Sequence, residues 1–277
     1  MQLFVDQLTN VDFSYLDAQR GLVGETWWAS ARLDGALDEQ GMICDFGQVK
    51  KTLRNWLDDE VDHRLLVPTQ AAELSLQHHD DGISLEWQSQ QGVISMRAPR
   101  QAVALIDSDR IDADSVAHWC RQQLKPFFPV NVEQLQLGFV PEQIEGAFYH
   151  YSHGLKKHLG NCQRIAHGHR SRIVIQLDGQ RSHNEEQRWA KRWSDIYLGS
   201  DEDVVARDDQ YIDYAYQAQQ GEFQLRMPAQ HCYQMNTDTT VEFIAQHLAQ
   251  AIKAEHPQCE VTVQAFEGVN KGAIASA

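Results

Sequence analysis

The tripeptide Leu33-Asp34-Gly35 returns as Leu177-Asp178-Gly179, and the flanking elements return in the same order. An ordered recurrence of this kind means one structural unit used twice. In the first half, Val11–Tyr15 reads as a strand within 7–20, and Gly24–Leu33, with Thr26, Trp27 and Trp28, as a second. Val49, Leu53, Trp56 and Leu57 then recur at helical spacing over 47–56, followed by the acidic run Asp58–His63. Two short strands are expected around Gln91-Gly92 within 71–100. Asp112–Ser115 caps a helix over 116–125 that stops before Pro126 and Pro129, and 132–140 is a strand. The second half repeats this with strands at Tyr149–His153 and Arg172–Leu177, and a helix over 188–197. A charged loop at 199–210, a helix over 241–253 capped by Asn236–Thr239 and a closing strand at 261–266 complete it. Each copy reads β-β-α-α-β, with a change of offset that places an insertion near 71–100. Pro141–Gly146 is the best linker, giving modules 1–143 and 144–277.

The second copy carries the chemistry. His167 and His169 are two apart, so on a strand both imidazoles share one face. His153 lies upstream and Cys162 between them. Three neutral imidazoles on one divalent ion, with a fourth position open, is the pattern of catalytic zinc. The other reading of a His-x-His in a chain with 13 histidines is chance. From His153 to Leu177 there is no acid, while Lys156, Lys157, Arg164, Arg170 and Arg172 are present. In a chain of net charge -15 this points to a local anionic ligand or a solvated loop, not to nucleic acid. No apolar run reaches membrane length, and the first residues lack a basic, signal-like start. Five irregularly spaced cysteines fit a reducing cytoplasm.

These motifs together resemble the 6-pyruvoyltetrahydropterin synthase and 6-carboxytetrahydropterin synthase family, in tandem form. Tyr149–Leu155 is similar to its strand ending in the first zinc histidine, and Cys162–His169 to its Cys loop and His-Gly-His pair. Gly41–Lys51 resembles its helix entry, Val61–Leu66 its Asp-His element, and Val263–Gly268 its pterin-binding strand. The resemblance leaves out 70–100 and 180–230. It implies an α+β fold of two tunnelling-fold (T-fold) modules, each an antiparallel sheet backed by helices, assembling into an oligomeric barrel. It also implies Zn2+ on His153, His167 and His169, and Cys162 as general acid/base. Asp62 and His63 follow as a second proton-transfer element, Glu267 as the pterin anchor, and Lys156, Lys157, Arg164 and Arg170 as triphosphate contacts. The first half has Asp17, Val23 and Glu25 where zinc histidines would stand, while the second lacks an Asp-His pair. The halves are complementary, which implies composite sites within or between chains.

The implied activity is a pterin side-chain lyase acting on 7,8-dihydroneopterin triphosphate or a close pterin, in queuosine or folate/biopterin-type metabolism, in a cytoplasmic homo-oligomer. The spacing Cys-x4-His-Gly-His falls between the carboxy-forming and pyruvoyl-forming members and leaves the product open. Two alternatives stand beside it. One is another pterin or purine enzyme on this fold, cyclohydrolase- or epimerase-like. The other is a non-catalytic, zinc-containing pterin-binding module.

Overall fold

The computed structural model describes residues 1–128 and 130–277; Pro129, expected to follow the end of a helix, lies outside them. The first half runs β1 (Gln2–Asp17), β2 (Gly21–Gly35), α1 (Phe46–Glu60), β3 (Leu65–Pro68), then β4 (Leu74–His79), β5 (Gly82–Ser89) and β6 (Gly92–Ala98). It closes with β7 (Val103–Ile106), α2 (Ala113–Leu124) and β8 (Val132–Pro141). The second half runs β9 (Phe148–His153), β10 (His167–Leu177), the short β11 (Gln180–Arg181), α3 (His183–Arg192) and β12 (Ile196–Ser200). There follow β13 (Val204–Arg207), β14 (Tyr211–Ala218), β15 (Gly221–Pro228), β16 (Cys232–Met235), α4 (Val241–Glu255), β17 (Val261–Phe266) and β18 (Gly272–Ser276).

The duplication is written in the strand order. The first sheet is β7-β3-β1-β2-β8, and the second, β16-β12-β9-β10-β17-β18, repeats it and adds β18 at its edge, with the short β11 paired to β10 off that path. Each is antiparallel at its centre and parallel at one side, where β1 meets β3 and β9 meets β12. In the first, α1 and α2 bury Leu53, Leu57, Val116 and Leu124 against Val11 and Phe13. In the second, α3 and α4 bury Trp189, Ile244 and Leu248 against Ile173 and Ile175. No described helix is long and apolar enough to cross a membrane. All five cysteines are free thiols.

A third sheet, β13-β14-β15-β6-β5-β4, is shared, with β15 and β6 pairing across the two halves. Residues 71–100 hold three strands rather than two, and 204–228 hold their counterpart. The insertion therefore occurs in both copies. The change of offset arises between Gly35 and Leu65, a longer span than Gly179 to Ile196. Other boundaries also move. The helix expected over 188–197 is His183–Arg192, with Glu185 and Glu186 in its first turn and Lys191 and Arg192 in its last, the order the helix dipole favours. Asp195, in the left-handed region at φ 54°, ends that segment, and the apolar Ile196-Tyr197-Leu198 enters the sheet. The expected loop at 199–210 contains the end of β12 and all of β13. Thr240, not the 236–239 run, caps α4, accepting from the Phe243 N–H. The closing strand is β18.

The halves meet face to face through glycine. Ser14 pairs with Gly24 in one sheet and Ser152 with Gly168 in the other. A Cβ on Gly24 would lie 1.9 Å from the Tyr151 carbonyl oxygen, and one on Gly168 2.7 Å from the Gly24 Cα. Only glycine permits that approach. The Ser14 and Ser152 hydroxyls bond each other at 2.7 Å, and the Arg170 N–H donates to Thr26 Oγ1 at 3.1 Å. This register sets Tyr15, Val23 and Glu25 as counterparts of His153, His167 and His169. The first of these corrects Asp17, which stands two residues further along β1, opposite Gly21.

Candidate active site at the junction of the halves

β9 and β10 put His153 opposite His167 and leave His169 two residues on, all three fully buried. The His153 Nδ1–H donates to the Thr239 carbonyl at 3.0 Å, and the His167 Nδ1–H to the Arg164 carbonyl at 2.8 Å. Those bonds turn both Nε2 atoms inward. His153 Nε2 and His169 Nε2 stand 3.4 Å apart, and His167 Nε2 is buried with no protein partner. Two nitrogens bound tetrahedrally at about 2.05 Å would be about 3.3 Å apart. Burial, and then the charge of neighbouring histidines, holds His153 and His167 well below the usual imidazole range, in the neutral form that binds metal. The donor set therefore fits a divalent ion such as zinc. Tyr151 walls it, its ring 5.0 Å from His153 and 5.2 Å from His169.

Asp62 and His63 come from the first half of the same chain, between α1 and β3. The site is composite within one polypeptide. His63, Cys162 and His167 offer donor atoms all within 4.8 Å of one another, and the His63 ring lies 4.9 Å from that of His167. The Asp62 carboxylate holds His63 Nδ1 in a short ion pair. Burial would lower the His63 pKa, but the bonds to Asp62 and Cys162 outweigh it and lift it to about 10. His63 thus stands as an imidazolium between the Asp62 carboxylate and Cys162. Its backbone takes the left-handed conformation at φ 55°, donating N–H to the Asp12 carbonyl at 2.6 Å. The Asp12 N–H in turn donates to Asp62 Oδ1 at 2.7 Å.

The shared sheet holds the Cys162 loop. At the β14–β15 turn, the Gln220 side chain donates to Asn161 Oδ1 at 2.9 Å and its N–H to Gln163 Oε1 at 2.6 Å. Tyr216 donates to the Gln163 carbonyl at 2.8 Å, and Tyr197 to the Ile165 carbonyl at 3.0 Å. Arg164 is buried, donating Nε to Gln220 Oε1 at 3.1 Å and Nη1 to the carbonyls of Asp62 and His63, each at 3.4 Å. Burial, and then the charge of Arg64, lowers its pKa to about 10. Arg164 ties the loop to the Asp62–His63 pair.

Glu267 reaches the same cluster, its Oε1 3.7 Å from His169 Nε2. The other cations lie elsewhere. Lys156 pairs with Glu202 and Asp203, and Lys157 with Glu202 and Asp238. Arg170 lies over the Phe148 ring and donates to the Glu142 carbonyl. Residues that sequence reasoning missed include Asp12, Thr26, Thr239, Gln220 and Lys271. Their roles come from long-range contacts that leave no local spacing signal.

The counterpart arrangement on the other side of the junction is filled. Arg20 and Asp195, one from each half, bond at 2.9 Å and 2.5 Å where the second site would open. His150 donates Nδ1–H to the Gly24 carbonyl at 2.7 Å and lies 3.8 Å from Glu25. Burial is the leading cause of both shifts here, raising Glu25 to about 7 and lowering His150 to about 4. A cleft of about 790 Å³ crosses the open face of the shared sheet, over Gln77, Glu86, Arg97 and Arg226, away from the histidines. Glu185, Glu255 and His256 also cluster, but Arg188 pairs with both carboxylates.

The model of the 6-pyruvoyl tetrahydropterin synthase family matches this chain twice, over residues 14–140 and 144–277. A protein of Pyrococcus horikoshii, provisionally named a 6-carboxy-5,6,7,8-tetrahydropterin synthase, is 22% identical over 135 residues, covering 46% of this chain and 73% of its own. A Pyrococcus abyssi protein of the same name is 21% identical over 127 residues, with the same coverages. Among solved structures, the Plasmodium vivax 6-pyruvoyltetrahydropterin synthase aligns at 18% identity and TM-score 0.39, covering 51% of this chain and 98% of its own. The Plasmodium falciparum protein aligns at 13% identity with the same TM-score and coverages. With two matched segments spanning nearly its whole length, the chain belongs to the 6-pyruvoyl tetrahydropterin synthase family.

Proposed function

We propose that the chain is a zinc-dependent pterin side-chain lyase of the 6-pyruvoyl- or 6-carboxy-tetrahydropterin synthase type, acting on 7,8-dihydroneopterin triphosphate or a close pterin. The observation that carries this is the convergence of three buried imidazole Nε2 positions beside the Cys162–His63–Asp62 group. Zinc, held by His153, His167 and His169, would supply Lewis acidity toward the side-chain oxygens. Cys162 takes a proton from the side-chain carbon beside them. His63, kept protonated by Asp62, returns one to the neighbouring centre. Glu267 accepts two N–H bonds from the 2-amino-4-oxopyrimidine edge, the geometry a carboxylate suits. Lys156, Lys157, Arg164 and Arg170 are the candidates for an anionic tail, and each would exchange a present partner for it. The working units are residues 1–143 and 144–277, in a cytoplasmic homo-oligomer.

The first experiment is metal analysis of the wild-type protein and His167→Ala, followed by turnover of dihydroneopterin triphosphate. About one zinc per chain, lost in the variant, with zinc-dependent loss of substrate, is expected. Absence of metal in freshly purified wild type sinks the assignment. Zinc without turnover would favour the non-catalytic pterin-binding module.

A further inference from the structure

We propose that Asp12, contributed by the first half, is a positioning carboxylate for the metal centre built by the second half. This rests on the reading of His153, His167 and His169 as metal ligands. An imidazole that presents Nε2 to a metal needs an acceptor behind its Nδ1–H, and that acceptor fixes tautomer, ring angle and basicity. His153 and His167 find carbonyls of their own half, those of Thr239 and Arg164. His169 has neither: its Nδ1 is buried without a hydrogen-bond partner, and the Asp12 carboxylate faces it, Oδ1 at 3.3 Å. Asp12 is thus the carboxylate backing this set, and it crosses the junction to do so.

Asp12 is itself held. It is 1% exposed, Thr26 Oγ1 donates to its Oδ1 at 2.6 Å, and Lys271 Nζ donates to its Oδ2 at 3.1 Å. The turn that carries Glu267 and Lys271 closes onto it through Gly268. Gly268 takes φ +70°, where an added Cβ would lie 2.4 Å from Asp12 Oδ1. The main chain of Asp12 holds the other half of the site, donating to Asp62 and accepting from the His63 N–H. One residue therefore touches a metal ligand, the proton-transfer pair and the anchor turn. On the opposite side of the junction the same register sets Glu25 of β2 beside His150 of β9, again an acid of the first half facing an imidazole of the second, with their strand positions exchanged. Where the acid stands on β1 and the imidazole on β10, the imidazole is His169 of the triad. Metal retention and the seating of one half on the other are linked through Asp12.

The test is zinc affinity of the full-length chain by competition with a chromogenic chelator, for wild type and Asp12→Asn. A loss of about 10–100-fold is expected for Asp12→Asn, as for other carboxylates behind a metal histidine. The cobalt-loaded protein should show a shifted visible ligand-field spectrum in the variant, which a change in packing elsewhere would leave alone. Equal affinity and equal spectra overturn the proposal while leaving the metal site standing. A wild type that binds no zinc overturns the underlying reading instead. If Asp12→Asn fails to fold, zinc-loaded wild type labelled with 15N-histidine decides. A strongly downfield His169 Nδ1–H resonance is expected, and a metal bound through Nδ1 of His169 refutes the role.

Discussion

Replacing Glu25 by Gln should make the protein more stable as pH rises above 4.5, with the gain complete a little above pH 7. Glu25 is 8% exposed and stands on the counterpart of the His169 position. Burial is the largest influence on it and outweighs the Thr26 N–H, Arg170 and Arg20, so its pKa rises from 4.5 to about 7. A carboxyl with a raised folded-state pKa keeps a proton that the unfolded chain releases. Stability therefore falls as pH rises from 4.5 to about 7 and then levels off. At about 1.4 kcal/mol per pH unit, the accumulated cost is about 3 kcal/mol. Gln has the same shape and no charge to desolvate, so its curve lacks that decline. The assay is urea unfolding of both metal-stripped chains from pH 4 to 9. Groups common to both, His63 included, cancel in the difference, and above pH 6.5 His150 is neutral in each. The expected difference is near zero at about pH 4 and about 3 kcal/mol in favour of Gln at about pH 8. Parallel curves would refute the reasoning, since they would mean that an ionised Glu25 is fully compensated where it sits.

Two other perturbations test separate links. Gly168→Ala places a Cβ 2.3 Å from the Tyr151 carbonyl oxygen, a backbone atom that cannot swing aside. It should cost about 3 kcal/mol or more, read as a fall in unfolding midpoint, with no effect expected from Gly179→Ala at an open turn beyond its backbone strain. Gln220→Ala removes the bonds from the Gln220 side chain to Asn161 and Arg164, leaving His153, His167 and His169 untouched. Turnover should fall about tenfold and Cys162 alkylation should change rate while zinc content stays constant; a variant with wild-type turnover would separate the shared sheet from the chemistry.

What could be read from the sequence depended on how local each signal was. The His-x-His pair, the strand of β-branched residues after it and the Asp112 cap are short-range patterns, and each stands where the spacing put it. The Asp112 cap closes as a full capping box with Ser115. Offsets failed where lengths changed. β1 carries Tyr15, not Asp17, opposite Val23, because register is fixed by hydrogen bonding and not by alignment of two sequences. Residues 180–230 were opaque in part because β15 finds one of its partners, β6, in the other half. Leu225 opposite Met96 is a pairing no local pattern encodes. Asp12 was hidden for the same reason, as an acid on a strand whose partner His169 lies far along the chain.

The two sides of the junction show what duplication allows. In a symmetric pair, both sides would carry three imidazoles, and each would need burial of polar rings with Nε2 unsatisfied until metal arrived. Here one side keeps that cost and the chemistry it supports. The other replaces the ligands by Tyr15, Val23 and Glu25 and fills the opening with Arg20 and Asp195, an ion pair spanning the halves. The Asp62–His63 pair of the first half and the histidines and Cys162 of the second are then complementary. Neither half alone holds a complete set, yet one folded chain does. The encounter of His63 with Cys162 is set by intrachain contacts such as Arg164 to the Asp62 and His63 carbonyls. It follows that the geometry of this site is fixed at the folding of one polypeptide, and that dilution alone does not take it apart.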